Sequence, residues 1–176
     1  MDITKRDVAL HQVATAIWLY FEDVDPISVH TLASAASEVL DGLVKQAGGD
    51  TERARTLDMI HEDRRQEVGR LLNKARNFFK HGSQPEEVLK EFDDEWNLYP
   101  LWVCCSGLRR LYGFDTPPEV GVFEAWLSIV EPELMSVPAT REASAAFGDS
   151  LRGLPRGEQK VVGRDALRAI SEARPR

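Results

Sequence analysis

The sequence predicts an all-α fold. Three observations carry this: apolar residues recur at three- and four-residue steps in several long segments, no segment alternates apolar and polar residues over a convincing length, and helix start and stop signals fall between the periodic runs. With 176 residues, 43% of them hydrophobic and 29% charged, the chain can fill one core. The organisation expected is a helical bundle over residues 1–135, followed by a C-terminal extension over residues 136–176 that is partly helical and partly flexible.

A first helix is expected between Lys5 and Phe21, where Val8, Val13, Ala16, Ile17, Tyr20 and Phe21 share a stripe. The run "EDVDP" ends it. Asp25 can cap a second helix, and Pro26 suits the first position because the amide it lacks would be unpaired there anyway. That helix carries Val29, Leu32, Leu40 and Leu43 and stops at Gly48-Gly49, while Ala33, Ala36 and Ser37 leave one face small enough for close approach. Val68, Leu71, Leu72, Ala75, Phe78 and Phe79 form a third stripe ending at Gly82. A fourth helix is expected from near Asn97, with Pro100 harmless in its first turn and Leu101, Cys104, Cys105 and Leu108 facing inward. Pro117-Pro118 opens a short helix through Trp126 and Val130. Beyond Pro132 the periodicity weakens, although residues 140–151 and 165–173 can each be helical. From about Arg152 the tail is punctuated by Gly153, Pro155, Gly157 and Gly163, so it is expected to be dispensable for folding.

Composition excludes several function classes. No run approaches the roughly 18 apolar residues of a membrane span, and the charged start from Met1 to Asp7 has no apolar signal core behind it. A cytoplasmic protein without membrane association is expected. Cys104 and Cys105 are adjacent on an apolar segment, which suits reduced core residues and neither a disulfide framework nor a metal site. His61-Glu62 imitates the start of a His-Glu-x-x-His zinc motif, but Arg65 stands where the second histidine is required. "AGGDTE" lacks the spacing and the lysine of a phosphate loop. Neither metal nor cofactor is therefore expected. Trp18, Trp96, Trp102 and Trp126 lie on apolar helix faces and read as core or interface residues.

A net charge of −7 and a pI near 5.2 argue against a protein that coats nucleic acid, because such binding depends on many lysine and arginine contacts to phosphate. Any RNA contact must be local. From Gly153 onward basic residues outnumber acidic ones, and this tail could steer an anionic partner or simply be solvated.

The local candidate is "ARNFFKHG", residues 75–82. At 100° per residue Arg76 lies on the flank of the third apolar stripe, and Asn73, Asn77 and Lys80 occupy its polar side. His81 is about 140° from Arg76 and roughly 7.5 Å further along the axis. One chain's Arg76 and His81 therefore point to different places. They converge only if the helix unwinds at its end or if a two-fold related subunit supplies its own pair. Without such convergence, Arg76 is a solvated flank residue and His81 satisfies carbonyls at the helix end.

The segment Arg76-Asn77-Phe78-Phe79-Lys80-His81 resembles the signature of HEPN domains: an arginine followed by a polar residue, then a histidine four to six residues on. The first helices, "HQVATAIWLYFEDVDPISVHTLASAASEVLDGL", are also similar to a bacterial set of HEPN-like proteins. The resemblance covers roughly the first 130 residues of the chain. It implies an antiparallel helical bundle with additional C-terminal helices and a homodimer. It also implies metal-independent endoribonuclease activity in a defence, toxin or RNA-processing setting, with a cognate antitoxin or regulatory protein as a partner. On that resemblance Arg76, Asn77 and His81 are the catalytic candidates, and Lys80 and His30 could contact substrate. An imidazole can take the proton of a ribose 2′-hydroxyl or protonate the leaving 5′-oxygen, while a guanidinium stabilises charge building on phosphorus. One departure is Ser83, which stands where members silenced by nucleotide transfer commonly carry tyrosine. The competing function class is a helical module that binds RNA, a small ligand or a protein without cutting.

Overall fold

The computed structural model describes residues 2–51, 55, 62–81, 86–132, 143, 145 and 147–173. Among them the fold is all-helical, with α1 at Lys5–Phe21, α2 at Pro26–Gln46, α3 at Glu62–Lys80, α4 at Leu98–Tyr112, α5 at Pro118–Val130 and α6 at Arg156–Ala173. Short 3₁₀ turns at Asp94–Asn97 and Asp149–Gly153 precede α4 and α6. No described helix is long and apolar enough to cross a membrane.

The helix ends follow from local chemistry. Thr4 and Asp7 form a reciprocal capping box at the start of α1, which satisfies two otherwise unpaired amides. Asp25 accepts from the amide of Ile27 at 3.1 Å, and Pro26 occupies the first turn of α2. At the other end Gly48 takes φ +78°, and the amides of Gly48 and Gly49 reach the carbonyls of Lys45 and Val44. That closing geometry needs a residue tolerant of positive φ.

Helix α1 is the central element and packs against α2, α4, α5 and α6. Its inward stripe of Ala9, Val13, Ala16, Ile17, Tyr20 and Phe21 is at most 1% exposed. Ala33 and Ala36 let α2 lie close to α4, so that the Cys104 thiol donates to the Ala33 carbonyl at 3.2 Å. Both cysteines are free and buried, and burial pushes their thiols far above the ordinary range, which keeps them protonated and inert.

Three expectations need correction. Helix α6 begins at Arg156, well before residue 165. Nor does the tail stand apart from the bundle, because α6 packs on α1 and α5 and buries Gln159, Lys160, Gly163 and Leu167. The indole of Trp126 donates to the Gln159 carbonyl at 2.8 Å, and Gly163 lies so close to Phe21 that an added Cβ would overlap its ring. Lys160 is 2% exposed, ion-paired with Asp23 at 2.6 Å and with Asp94, and its ammonium sits 4.5 Å from the centre of the Tyr20 ring. Finally, Phe79 is half-buried rather than part of a sealed core, since α3 packs chiefly on α2. The side chains of Val68, Leu71 and Leu72, the residues His61, Gly82 and Ser83, and residues 140–142, 144 and 146 of the helix expected over 140–151 lie outside the described residues.

Candidate functional site

Two helical stripes face each other across the contact between α2 and α3. On α2, His30, Ser34, Ser37 and Glu38 recur at steps of four, three and one; on α3, Arg76 and Lys80 are four apart. Both spacings stack side chains on one face of a helix. The cleft between them has room for ≈ 210 Å³, lined by His30, Ser34, Glu38, Arg76, Phe79 and Lys80. A smaller hollow of ≈ 30 Å³, about the space of one water, adjoins it and shares His30, Ser34 and Arg76. Its far wall is Tyr99, Pro100 and Val103 of α4.

His30 is 1% exposed. Its Nδ1 lies 3.0 Å from Oδ1 of Asn97, a fully buried residue in the turn before α4. The amide nitrogen of Asn97 donates to the Pro26 carbonyl at 3.0 Å. This fixes which side of the amide faces the imidazole: Oδ1 can only accept, so Nδ1 carries the proton. Burial lowers the pKa of His30, against the opposing effect of the Asn97 bond, and the ring is neutral near pH 7. Nε2 is therefore an acceptor, and among the described residues it has no hydrogen-bond partner. Phe79 and Phe92 lie edge-on to the imidazole at 5.5 and 5.7 Å.

The charges at the rim are organised by Glu38. Lys80 donates to both of its carboxylate oxygens at 3.0 Å, and NH1 of Arg76 stands 3.5 Å from Oε1. The hydrogen bond from Lys80 holds the Glu38 carboxyl below its ordinary pKa, and the charges of Lys80, Arg76 and His81 add to that effect. Arg76 is about one-third exposed, and its Nε is buried without a hydrogen-bond partner among the described residues.

The candidates thus separate into two groups. Arg76, Lys80 and His30 share the cleft. Asn77 and His81 are exposed, and neither lines it; the backbone amide of His81 only closes the helix on the Asn77 carbonyl at 2.9 Å. His81 lies one residue beyond the end of α3, and its charge acts on Glu38, the carboxylate that also faces Arg76. Glu38, Asn97 and Ser34 had not been singled out from the sequence. Ser34 and Glu38 stand four and eight residues after His30, a spacing readable in the sequence, whereas the contact of Asn97 with His30 spans 67 positions and has no local signal. Among the described residues no three His, Cys, Asp or Glu side chains are grouped so as to hold a metal ion.

Compared with family models, with curated proteins and with solved structures, the chain matches none.

Proposed function

We propose that the protein is a homodimeric, metal-independent endoribonuclease of HEPN type. The observation that supports this reading is the division of labour at the end of α3: Arg76 lines a cleft while His81, one residue past Lys80, stands exposed outside its lining. A two-fold related copy can bring a second exposed imidazole to the first copy's guanidinium. In that arrangement one His81 takes the proton of the ribose 2′-hydroxyl as its oxygen attacks phosphorus. The other protonates the departing 5′-oxygen as the P–O5′ bond breaks, and the product ends in a 2′,3′-cyclic phosphate. Arg76 stabilises the charge on the non-bridging oxygens, and Asn77 orients the phosphate. Glu38 holds Arg76 and Lys80 in place until phosphate competes for them.

The test is cleavage of single-stranded and structured RNA by EDTA-treated protein, with product ends analysed. His81→Ala and Arg76→Ala are each expected to lower the rate by on the order of 10²-fold, with little change in stability because neither side chain is core. Arg76→Lys should stay impaired, since it keeps the charge and loses the planar fork.

A non-catalytic binding module is the second reading. It is favoured by the Glu38 carboxylate, which already engages both cleft cations. If His81→Ala cuts as fast as the wild type, the enzyme reading fails and this one takes its place.

A further inference from the structure

Buried polar groups in folded proteins almost always have partners, and each one left without is destabilising. Two residues that line the cleft between α2 and α3 each carry such an atom, and the two have complementary chemistry. His30 offers a lone pair at Nε2, and Arg76 offers an N–H at Nε. The two residues line the same hollow and the same cleft. A molecule that satisfies both must present a donor beside an acceptor.

The remaining walls narrow the class further. Phe79, Ala35, Pro100 and Val103 make them largely apolar. The charged groups, Arg76, Lys80 and the Glu38 between them, are gathered on one side, and His30 is neutral, so the inner end of the cleft offers hydrogen bonds and apolar surface rather than charge. At ≈ 210 Å³ the space is below the ~300 Å³ at which sites for drug-sized ligands begin, which admits one ring system. A ring can also stack on an aromatic face or a guanidinium plane.

We propose that this cleft is a nucleobase pocket, in which one unstacked base donates to His30 Nε2, accepts from Arg76 Nε and packs against Phe79. Every base has an edge with a donor next to an acceptor, and flipped bases are read in this way. The sugar and phosphate then lie outside, at Lys80. The pocket supplies the substrate-binding half of the RNA reading and rests on it for the source of the base; a free nucleoside has the same chemistry. Asn97 acts as a positioning residue, because it sets the tautomer that makes Nε2 an acceptor.

Equilibrium dialysis of the full chain against the four nucleosides, ribose 5-phosphate, and a short single-stranded RNA with and without one abasic position tests the proposal. At least one nucleoside is expected to bind, and ribose 5-phosphate to bind at least about tenfold more weakly, given the worth of stacking one base. His30→Phe keeps an aromatic ring but removes Nε2. Ser34→Leu keeps His30 but fills the space. Each should weaken nucleoside binding by about tenfold or more. The second substitution keeps the test open if the first fails to fold. Equal binding of nucleosides and ribose 5-phosphate, no nucleoside binding, or wild-type affinity in folded Ser34→Leu overturns the pocket. Loss of binding at the abasic position identifies RNA as the source, and equal binding of both RNAs identifies the free nucleoside. Nucleoside binding is read without any cleavage step, so a failed nuclease reading and a failed pocket give different results.

Discussion

The junction of α1, α5 and α6 and the contact of α2 with α3 are built on opposite principles. In the first, Tyr20, Phe21, Phe123 and Trp126 are at most 1% exposed, with ring centres 5.3–6.1 Å apart in mostly edge-on pairs. The Trp126 indole is satisfied by a backbone carbonyl, and α6 closes the cluster. In the second, among the described residues, α3 packs chiefly on α2, Phe79 is half-buried, and His30 and Arg76 each carry a buried polar atom without a hydrogen-bond partner. The difference teaches where each property resides. Apolar packing in the aromatic junction supplies stability, and the unsatisfied cleft holds the groups able to do chemistry.

The largest expected effect comes from removing α6. Cutting the chain before Leu154 exposes Phe21 and Trp126 and takes away Lys160, the counter-ion of Asp23 and Asp94. Since whole domains are stable by only about 5–15 kcal/mol, the cooperative thermal transition should be lost. A truncated chain that melts like the wild type would show that the aromatic junction does not need its cover.

Single substitutions sharpen the contrast. Trp126→Ala should cost about 3–5 kcal/mol in urea unfolding, because it leaves a cavity in a closely packed site. Phe79→Ala, on the half-buried wall of the cleft, should cost no more than about half of that. Equal losses would mean that α3 is as firmly packed as α6.

The same contrast explains what the sequence discloses. Helices α1 and α2 are legible almost to the residue, because Thr4, Asp25, Pro26 and Gly48 are local signals for local hydrogen bonds. Helix α6 is not, because its first turns carry Gly157, Glu158 and Lys160, which read as a solvated segment. Lys160 is buried only because Asp23 and Asp94, distant in sequence, supply its countercharges. In the cleft, Arg76 and Lys80 can be found from their spacing. Their closure onto Glu38 depends on the docking of α3 against α2, and Phe79 belongs to an apolar stripe whose depth is set by how few neighbours that helix has. Periodicity names the face of a helix but not what covers it.

The smallest expected effect is a pH dependence that belongs to the cleft alone. Burial lowers the pKa of His30 in the folded chain below the value near 6.5 that the unfolded chain has. The unfolded state then binds a proton that the native state refuses. The neutral His30 contribution is therefore complete above about pH 6.5 and is lost progressively as the pH falls from there through the folded pKa. Glu38, Asp7 and Asp25 also have lowered pKa values, but they begin from the carboxylate range near pH 4 and act below this window. Burial raises the pKa of Glu124, whose contribution has the opposite sign and is shared by the wild type and the His30 variant. Urea unfolding at pH 7.5 and at pH 5.5 should show a loss of stability from His30 at the lower pH in the wild type. In His30→Phe that step should vanish, because a phenyl ring has no proton to bind. Trp126→Phe should leave it unchanged, although its stability is lower at both pH values. Parallel curves for the wild type and His30→Phe would place the buried imidazole in the same inert category as the aromatic junction, and the contrast between the two regions would no longer hold for their ionisable groups.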